Sequence, residues 1–217
     1  MEIQLNKVYN CDCRELMREM VRQGIKADWL VTDPPYGIGV DGQKESICKN
    51  PKHNRKAHAQ KKWDDCIPSK DIFELMFACS KNQIIWGANY FTEYLPKGYK
   101  GWIVWDKGQH GLTMRDCELA FVSSQKPTRV ITINRVELLK DNTIHPTQKP
   151  EKLIVECLNR FTNENDLILD PFMGSFTTAV CAYKSGRKFI GAELDKEYYE
   201  LGQKRLEKEM QQISFFD

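Results

Sequence analysis

The chain has 217 residues, with 32 Lys or Arg against 30 Asp or Glu and a formal net charge of +2. This length predicts a single domain over residues 1–217, and the balanced charge by itself identifies no nucleic-acid partner. The sequence has no long apolar run and no basic-then-apolar leader, which predicts a cytoplasmic protein that does not span a membrane.

Eight cysteines are scattered along the chain without a C-x-x-C pair, which indicates reduced thiols rather than disulfides. One group of Cys and His side chains suggests zinc ligation, but its spacing matches no usual ligand pattern: Cys48, His53, His58 and Cys66. We therefore predict no metal site.

Short apolar runs alternate with stretches of helical periodicity, which indicates an α/β sheet covered on both faces. Seven strands are predicted, at residues 28–32, 83–87, 101–105, 118–122, 129–133, 166–170 and 188–193. Five helices are predicted: through Leu16, Met20 and Val21; through Ile72 to Cys79 after a cap at Ser69; through Leu153 to Phe161 after Pro150; over 177–185; and through Tyr198, Leu201 and Leu206 after a cap at Asp195.

The first of these strands ends in T-D-P-P-Y-G at residues 32–37, and a stretch without periodicity follows over residues 37–66. This stretch predicts a long loop. Its positive charge favours contact with a phosphate backbone, mainly through Lys52, Arg55, Lys56, Lys61 and Lys62. The alternative is a solvated loop that is basic without binding nucleic acid.

Residues 166–193 predict a strand, a tight turn, a helix and a second strand, with D-P-F-M-G-S at 170–175 and an acid at Glu193. In nucleotide-binding units of this kind, a glycine such as Gly174 lets the backbone approach the ligand, and the later acid accepts hydrogen bonds from ribose hydroxyls. The phosphate-binding pattern G-x-G-x-x-G is absent, which favours an adenosyl ligand without phosphate, such as S-adenosylmethionine. The alternative is an ordinary strand-turn-helix unit.

Four sequence blocks occur in a characteristic order: T-D-P-P-Y-G at 32–37, W-G-A-N-Y-F at 86–91, H-P-T-Q-K-P at 145–150 and D-P-F-M-G-S at 170–175. In this combination the chain resembles the permuted, beta-group DNA amino-methyltransferases over nearly its whole length. The resemblance implies a Rossmann-like methyltransferase fold with circularly permuted motif order, S-adenosylmethionine as cofactor, double-stranded DNA as substrate and a possible homodimer.

The resemblance also assigns roles to matching positions. The catalytic block is Asp33, Pro34, Pro35 and Tyr36. The cofactor positions are Asp12 near the adenine ring, Lys149 at the carboxylate, Glu193 at the ribose hydroxyls, and Asp170, Pro171, Phe172, Gly174 and Ser175 along the methionine and ribose part.

The catalytic block suits methylation of an exocyclic amine on adenine. Such an amine is a poor nucleophile until its lone pair is localised, and acceptors on both N–H bonds achieve this. Asp33 and the Pro34 carbonyl are the expected acceptors, and Tyr36 is the expected surface on which a flipped base stacks. An adjoining pocket wall is expected from Trp86, Asn89, Tyr90 and Phe91, with core packing as the alternative for Trp86 and Phe91.

One departure from the resemblance is Phe176, where the family usually has glycine. A bulky side chain there is expected to narrow the cofactor pocket or to shift the following helix. Because of Phe176, a catalytically weak DNA-binding relative is an alternative to an adenine-N6 methyltransferase. A cytosine-N4 enzyme is the nearest alternative, although that group more often has serine in place of Asp33. Methylation of RNA or of a glutamine amide is disfavoured, because N-P-P-Y and the opposite block order are usual there.

The tail at residues 211–217 contains Gln212-Ile213-Ser214-Phe215-Phe216. This segment resembles the short peptides by which bacterial DNA enzymes dock on the replication sliding clamp. The alternative is that its apolar side chains pack back on the domain or against a second subunit.

Overall fold

The computed structural model describes residues 1–39, 64–108, 115–134 and 148–213, without the side chains of residues 212 and 213. The predicted DNA contacts Lys52, Arg55, Lys56, Lys61 and Lys62 lie outside the described residues, as does most of the predicted clamp-binding segment.

The described strands form one eight-stranded sheet. In chain order they are β1 (Lys7–Tyr9), β2 (Ala27–Thr32), β3 (Ser80–Trp86), β4 (Gly101–Asp106), β5 (Cys117–Val122), β6 (Arg129–Thr132), β7 (Leu167–Asp170) and β8 (Lys188–Ala192). Their spatial order is β1-β8-β7-β2-β3-β5-β4-β6. Of these strands, β5 alone is antiparallel to its neighbours.

The order of the strands creates a switch point between β7 and β2. From β7 the chain continues to β8 on one side, whereas from β2 it continues to β3 on the other. Open α/β sheets bind their ligands at the carboxyl ends of the strands at such a point. The turns that follow Thr32 and Asp170 therefore lie together at the edge where a ligand is expected.

In the described part of the chain, five α-helices cover the sheet: α1 (Cys13–Arg22), α2 (Lys70–Cys79), α3 (Glu151–Phe161), α4 (Thr177–Lys184) and α5 (Lys196–Ile213). The predicted start of α5 is confirmed, because Asp195 Oδ1 accepts the backbone N–H of Tyr198 at 3.0 Å. In the ranges that the structure describes, no helix is long and apolar enough to cross a membrane.

The core has two parts, one on each face of the sheet. Helices α1 and α2 pack their apolar side chains into one cluster, and α3, α4 and α5 pack theirs into the other. Successive strand residues alternate between these clusters, as Ile168 and Leu169 of β7 show. Both faces are therefore covered, as the sequence predicts.

One sequence prediction about the fold is wrong in detail. The described part of the chain forms an eight-stranded sheet rather than a seven-stranded one, because the short segment β1 pairs with β8 at the edge. The predicted helices through Val21 and through Leu201 are present, although these two side chains are 50% and 38% exposed. The buried stripe of α1 runs through Cys13, Leu16, Met17 and Met20, at steps of three and four residues along one face.

Candidate active site

The two predicted motifs meet at the switch point. Thr32, the last residue of β2, donates a hydrogen bond from its Oγ1 to Oδ1 of Asp170, the last residue of β7, at 2.7 Å. Both side chains are buried. The D-P-P-Y turn and the D-P-F-M-G-S loop, far apart in sequence, are therefore parts of one site.

A cavity of about 850 Å³ lies between these two motifs. The predicted site residues on its wall are Asp12, Asp33, Pro35, Lys149, Asp170, Pro171, Phe172, Gly174, Ser175 and Glu193. The wall does not include Pro34 or Tyr36, which lie in the same turn as Asp33. The volume is in the range of cofactor pockets.

The carboxylate of Glu193 connects the end of β8 to the loop after β7. Its Oε2 accepts the backbone N–H of Gly174 at 2.7 Å, and its Oε1 accepts that of Asp195 at 2.8 Å. Gly174 has a φ of 52°, a left-handed conformation that favours glycine. Burial raises the pKa of Glu193 to about 7, although both backbone hydrogen bonds oppose the shift.

Asp170 is also a buried acid. Burial raises its pKa to about 6, while hydrogen bonds from Thr32, from Thr178 and from the backbone N–H of Phe172 partly oppose this. The cavity wall thus carries two carboxyl groups whose ionisation falls close to neutral pH, which is typical of functional sites.

Phe176 does not narrow the cavity, contrary to the expectation from the sequence. It precedes α4 with a φ of 62°, the left-handed region, and its ring is fully buried. The ring lies against α5, with its centroid 5.9 Å from that of Tyr199 and its edge over Gly202. Neither Phe176 nor these two neighbours line the cavity.

Asp33 lies in a network of charged and phenolic groups. Its Oδ1 accepts the hydroxyl hydrogen of Tyr36 at 2.5 Å, and its Oδ2 accepts the ammonium of Lys149 at 2.5 Å. Lys149 lies on the cavity wall as expected for a cofactor contact, but its Nζ binds the carboxylates of Asp33 and Glu118. A carboxylate has about four lone-pair positions, so Asp33 retains capacity for a further donor.

Sequence reasoning missed two members of this network. Glu118 on β5 lies 3.1 Å from Lys149 through its Oε2 and 2.7 Å from Lys107 through its Oε1. All three side chains are largely buried. No local motif marks Glu118 or Lys107, because the pairing of β5 between β3 and β4 brings them to the site.

The network shifts the pKa values of its members in different directions. Burial raises the pKa of Asp33, the positive charge of Lys149 opposes this, and the negative charge of Glu118 adds to it. Burial also favours a higher pKa for Glu118, but the positive charges of Lys149 and Lys107 outweigh this effect and lower the pKa of Glu118 to about 2. The pKa of Lys149 is raised, because the two carboxylates outweigh the effect of burial.

Tyr36 packs against other aromatic residues. Its ring stacks on that of Tyr90 with centroids 5.1 Å apart, and Gly87 leaves room for its edge. Of the residues predicted in W-G-A-N-Y-F to form a pocket wall, Trp86 lines the cavity and is also buried in the core. Phe91 is fully buried in the core and does not line the cavity. Core packing, the open alternative for both residues, therefore holds for both, and Trp86 contributes to the wall as well.

Asp12 lies on the cavity wall at the start of α1. Its Oδ1 accepts the backbone N–H of Arg14 at 2.7 Å, which caps the helix. Of the residues weighed for zinc, Cys66 is described and exposed, and Cys48, His53 and His58 lie outside the described residues.

The sheet with a single reversed strand among those described, the glycine turn after β7 and the acid at the end of β8 define a Rossmann-like methyltransferase fold. Residues 49–204 match the DNA methylase family of N6 and N4 enzymes, and the chain belongs to this family. It is similar to the DNA adenine methyltransferase YhdJ of Escherichia coli (48% identity over 82 residues, 37% of this chain and 28% of that one).

Two further comparisons concern a second relative and the fold. The chain is 54% identical over 65 residues to the type II methyltransferase M2.DpnII of Streptococcus pneumoniae, covering 30% of this chain and 24% of that one. The matched segments thus span about a quarter of these curated relatives. Its fold is similar to that of the M1.HpyAVI–SAM complex (TM-score 0.63, 23% identity, 92% of this chain and 99% of that one).

Proposed function

We propose that the protein transfers a methyl group from S-adenosylmethionine to the exocyclic N6 of an adenine that is flipped out of double-stranded DNA. The observation that carries this proposal is the hydrogen bond between Thr32 and Asp170 at the edge of one cavity. It brings the amine-binding block and the cofactor block into contact, as a direct transfer between two substrates requires.

The cavity fits an adenosyl sulfonium cofactor better than a nucleotide with phosphates. Five acids lie on its wall, namely Asp12, Asp33, Asp170, Glu193 and Asp195, against three basic side chains, Arg14, Lys149 and Lys196. This excess of acids favours a cation over phosphate. Glu193 would hold the ribose hydroxyls, and the loop around Gly174 would contact the adjoining part of the cofactor. When bound, S-adenosylmethionine supplies an electrophilic methyl group.

The residues of the turn after β2 would prepare the target amine. Asp33 would accept one N–H of the amine and the Pro34 carbonyl the other, so that the lone pair is localised for attack. The amine becomes strongly acidic only as the new bond forms, so Asp33 accepts its proton late or passes it to water. Lys149 and the Tyr36 hydroxyl hold Asp33 through its two oxygens.

The proposal is tested by incubating the protein with mixed-sequence DNA and labelled S-adenosylmethionine, digesting the DNA and identifying the labelled nucleoside. We expect N6-methyladenine from the wild type and no incorporation from Asp33→Ala, while calorimetry shows that the variant still binds the cofactor. N4-methylcytosine, label in RNA alone, or no cofactor binding at millimolar concentration contradicts the proposal.

Adenine is preferred over cytosine because of the acid in D-P-P-Y. The cytosine-N4 enzymes that the chain resembles more often have serine at the position of Asp33. YhdJ, similar to this chain over 82 residues, carries the name of a DNA adenine methyltransferase. A serine cannot accept two hydrogen bonds with a full negative charge, so the two groups prepare their amines differently.

DNA and protein partners complete the proposal. The basic side chains of Lys52, Arg55, Lys56, Lys61 and Lys62 would grip the phosphate backbone beside the flipped base, so binding weakens as salt increases. We also propose a homodimer, which light scattering tests. Docking of Gln212–Phe216 on a sliding clamp is tested by pull-down with purified clamp, and equal recovery of a chain that ends at Met210 contradicts it.

A further inference from the structure

Asp64 is a buried acid at the base of the D-P-P-Y turn. It belongs neither to the D-P-P-Y block nor to the D-P-F-M-G-S block. Its side chain is 1% exposed. Its Oδ1 accepts the backbone N–H of Tyr36 at 2.7 Å and that of Gly37 at 2.9 Å. Its own carbonyl accepts the N–H of Gly39 at 3.1 Å. One residue thus binds three backbone amides of the turn and of the segment that leaves it.

The two amides that Asp64 binds are the first that the turn offers after Asp33. Pro34 and Pro35 have no N–H, so their rings stiffen the turn but cannot anchor it by donating hydrogen bonds. A hydrogen bond to a carboxylate is stronger than one to a neutral acceptor. Asp64 therefore anchors the part of the turn that the prolines leave without backbone donors.

Tight packing reinforces this anchor. Gly37 has a φ of 67°, and a Cβ at this position would lie 2.9 Å from the backbone nitrogen of Ile67. The turn thus lies directly against the segment that follows Asp64. Residues 66–69 of that segment line the cavity, whereas Asp64 itself does not. Asp64 therefore binds the catalytic turn and lies close in sequence to residues 66–69 of the cavity wall, but it does not itself line the cavity.

We propose that Asp64 is a positioning residue for methyl transfer, which acts by fixing the Tyr36–Gly37 backbone and, through the Tyr36 hydroxyl, the carboxylate of Asp33. The chain of contacts is continuous, since the Tyr36 hydroxyl donates to Asp33 Oδ1. This inference rests on the proposed function. It predicts that losing Asp64 slows transfer without weakening cofactor binding, because the contact between Glu193 and Gly174 does not involve Asp64.

The first test compares three variants for kcat, KM and calorimetric cofactor affinity. Asp64→Ala should lower kcat by about 100-fold, the effect of misplacing a reacting group by roughly 1 Å, with cofactor affinity unchanged. Asp64→Asn keeps an oxygen acceptor for both amides and should retain most of the activity. The matched control is Asp65→Ala, which removes an exposed carboxylate from the next residue and should leave kcat unchanged.

A double-mutant cycle tests whether Asp64 acts through Tyr36. In a Tyr36→Phe background, which lacks the hydroxyl, Asp64→Ala should cost less than it does alone. Equal losses in both backgrounds, or wild-type kcat in Asp64→Ala, would overturn the proposal. If Asp64→Ala does not fold, Asp64→Glu serves instead. It keeps the charge but displaces the carboxylate by one methylene, so retained kcat overturns the proposal and a loss supports it.

Hydrogen exchange separates this inference from the proposed function. The Tyr36 and Gly37 amides should exchange slowly in the wild type and in Asp64→Asn, and quickly in Asp64→Ala. If the wild type transfers no methyl group, the proposed function fails, and fast exchange at both amides in the wild type then also overturns the Asp64 contact. If the wild type is active, the kcat comparison decides the role of Asp64 by itself.

Discussion

The raised pKa of Glu193 predicts a pH dependence of cofactor binding whose direction can be calculated. If Glu193 holds the ribose hydroxyls as proposed, they donate to the ionised carboxylate, and binding requires Glu193 to lose its proton. With a pKa of about 7 in the ligand-free protein, roughly 10% of the molecules are ionised at pH 6 and roughly 90% at pH 8. The apparent Kd for S-adenosylmethionine should therefore fall about tenfold between these pH values.

Calorimetry at pH 6, 7 and 8 and constant ionic strength measures this change. In buffers of different ionisation enthalpy, the same experiment counts the protons released on binding, which should approach one at pH 6. Glu193→Gln is the control, because it cannot ionise and should bind more weakly with no such pH dependence. The cofactor's own amino group titrates near pH 8, but it does so equally with both proteins. Asp170, with a pKa of about 6, is also present in both the wild type and Glu193→Gln, so its titration does not account for a difference between them.

The stability of the ligand-free protein gives an independent check with the opposite sign. Because folding raises the pKa of Glu193 from 4.5 to about 7, the folded state binds more protons in this interval and loses stability as pH rises through it. The loss is at most about 3 kcal/mol at pH 8. Relative to the wild type, Glu193→Gln should therefore gain stability as the pH rises from 4.5 to 8. Equal cofactor affinity at pH 6 and pH 8 in the wild type, or the same pH dependence in both proteins, would refute the reasoning.

Two further predictions concern the core and the charged network. Gly202→Ala should lower the free energy of unfolding by about 1–3 kcal/mol, because the new Cβ would lie 2.2 Å from the buried ring of Phe176. Urea unfolding measures this free energy. In a Phe176→Gly background, Gly202→Ala should no longer lower it. A Gly202→Ala single variant that is more stable than the wild type would contradict the packing argument. Glu118→Gln should move the acid limb of the methyl-transfer rate to lower pH. It removes a negative charge that raises the pKa of Asp33 and leaves Lys149 to lower it. An acid limb that stays in place or moves to higher pH would exclude this coupling.

Most strands of the sheet could be predicted from the sequence, because each is a short apolar run bounded by acids or turn residues. Residues 166–170, for example, are an apolar run that ends in an acid and a proline, and the structure has β7 at Leu167–Asp170. The three-residue strand β1 is different. Its sequence, K-V-Y, is too short for any periodicity, and only its pairing with β8 makes it a strand. Its existence is a property of the whole sheet rather than of its own residues.

The residues of the candidate site likewise divide into those that local sequence predicts and those that only the fold reveals. Asp33, Glu193 and their blocks are predictable because a turn of fixed geometry requires particular residue types in sequence order. Glu118 and Asp64 are not, since each reaches the site through long-range packing. Glu118 is the second residue of an ordinary strand, and Asp64 lies near the end of the stretch without periodicity over residues 37–66. An acid close to several basic residues was the available signal for Asp64, but its burial is known only from the fold.

Phe176 shows why a correctly recognised departure can still have an unexpected result. Its left-handed backbone costs a residue with a Cβ about 1–2 kcal/mol relative to glycine. Burying a phenylalanine ring returns about 1.5–3 kcal/mol, so the strain is tolerable wherever the ring has space. That space is supplied by Gly202, in a helix where alanine would otherwise be preferred. The bulk at position 176 is therefore accommodated between α4 and α5, and the cofactor cavity stays open. The sequence marked Phe176 as a departure from the family, but the consequence depended on a glycine on another helix.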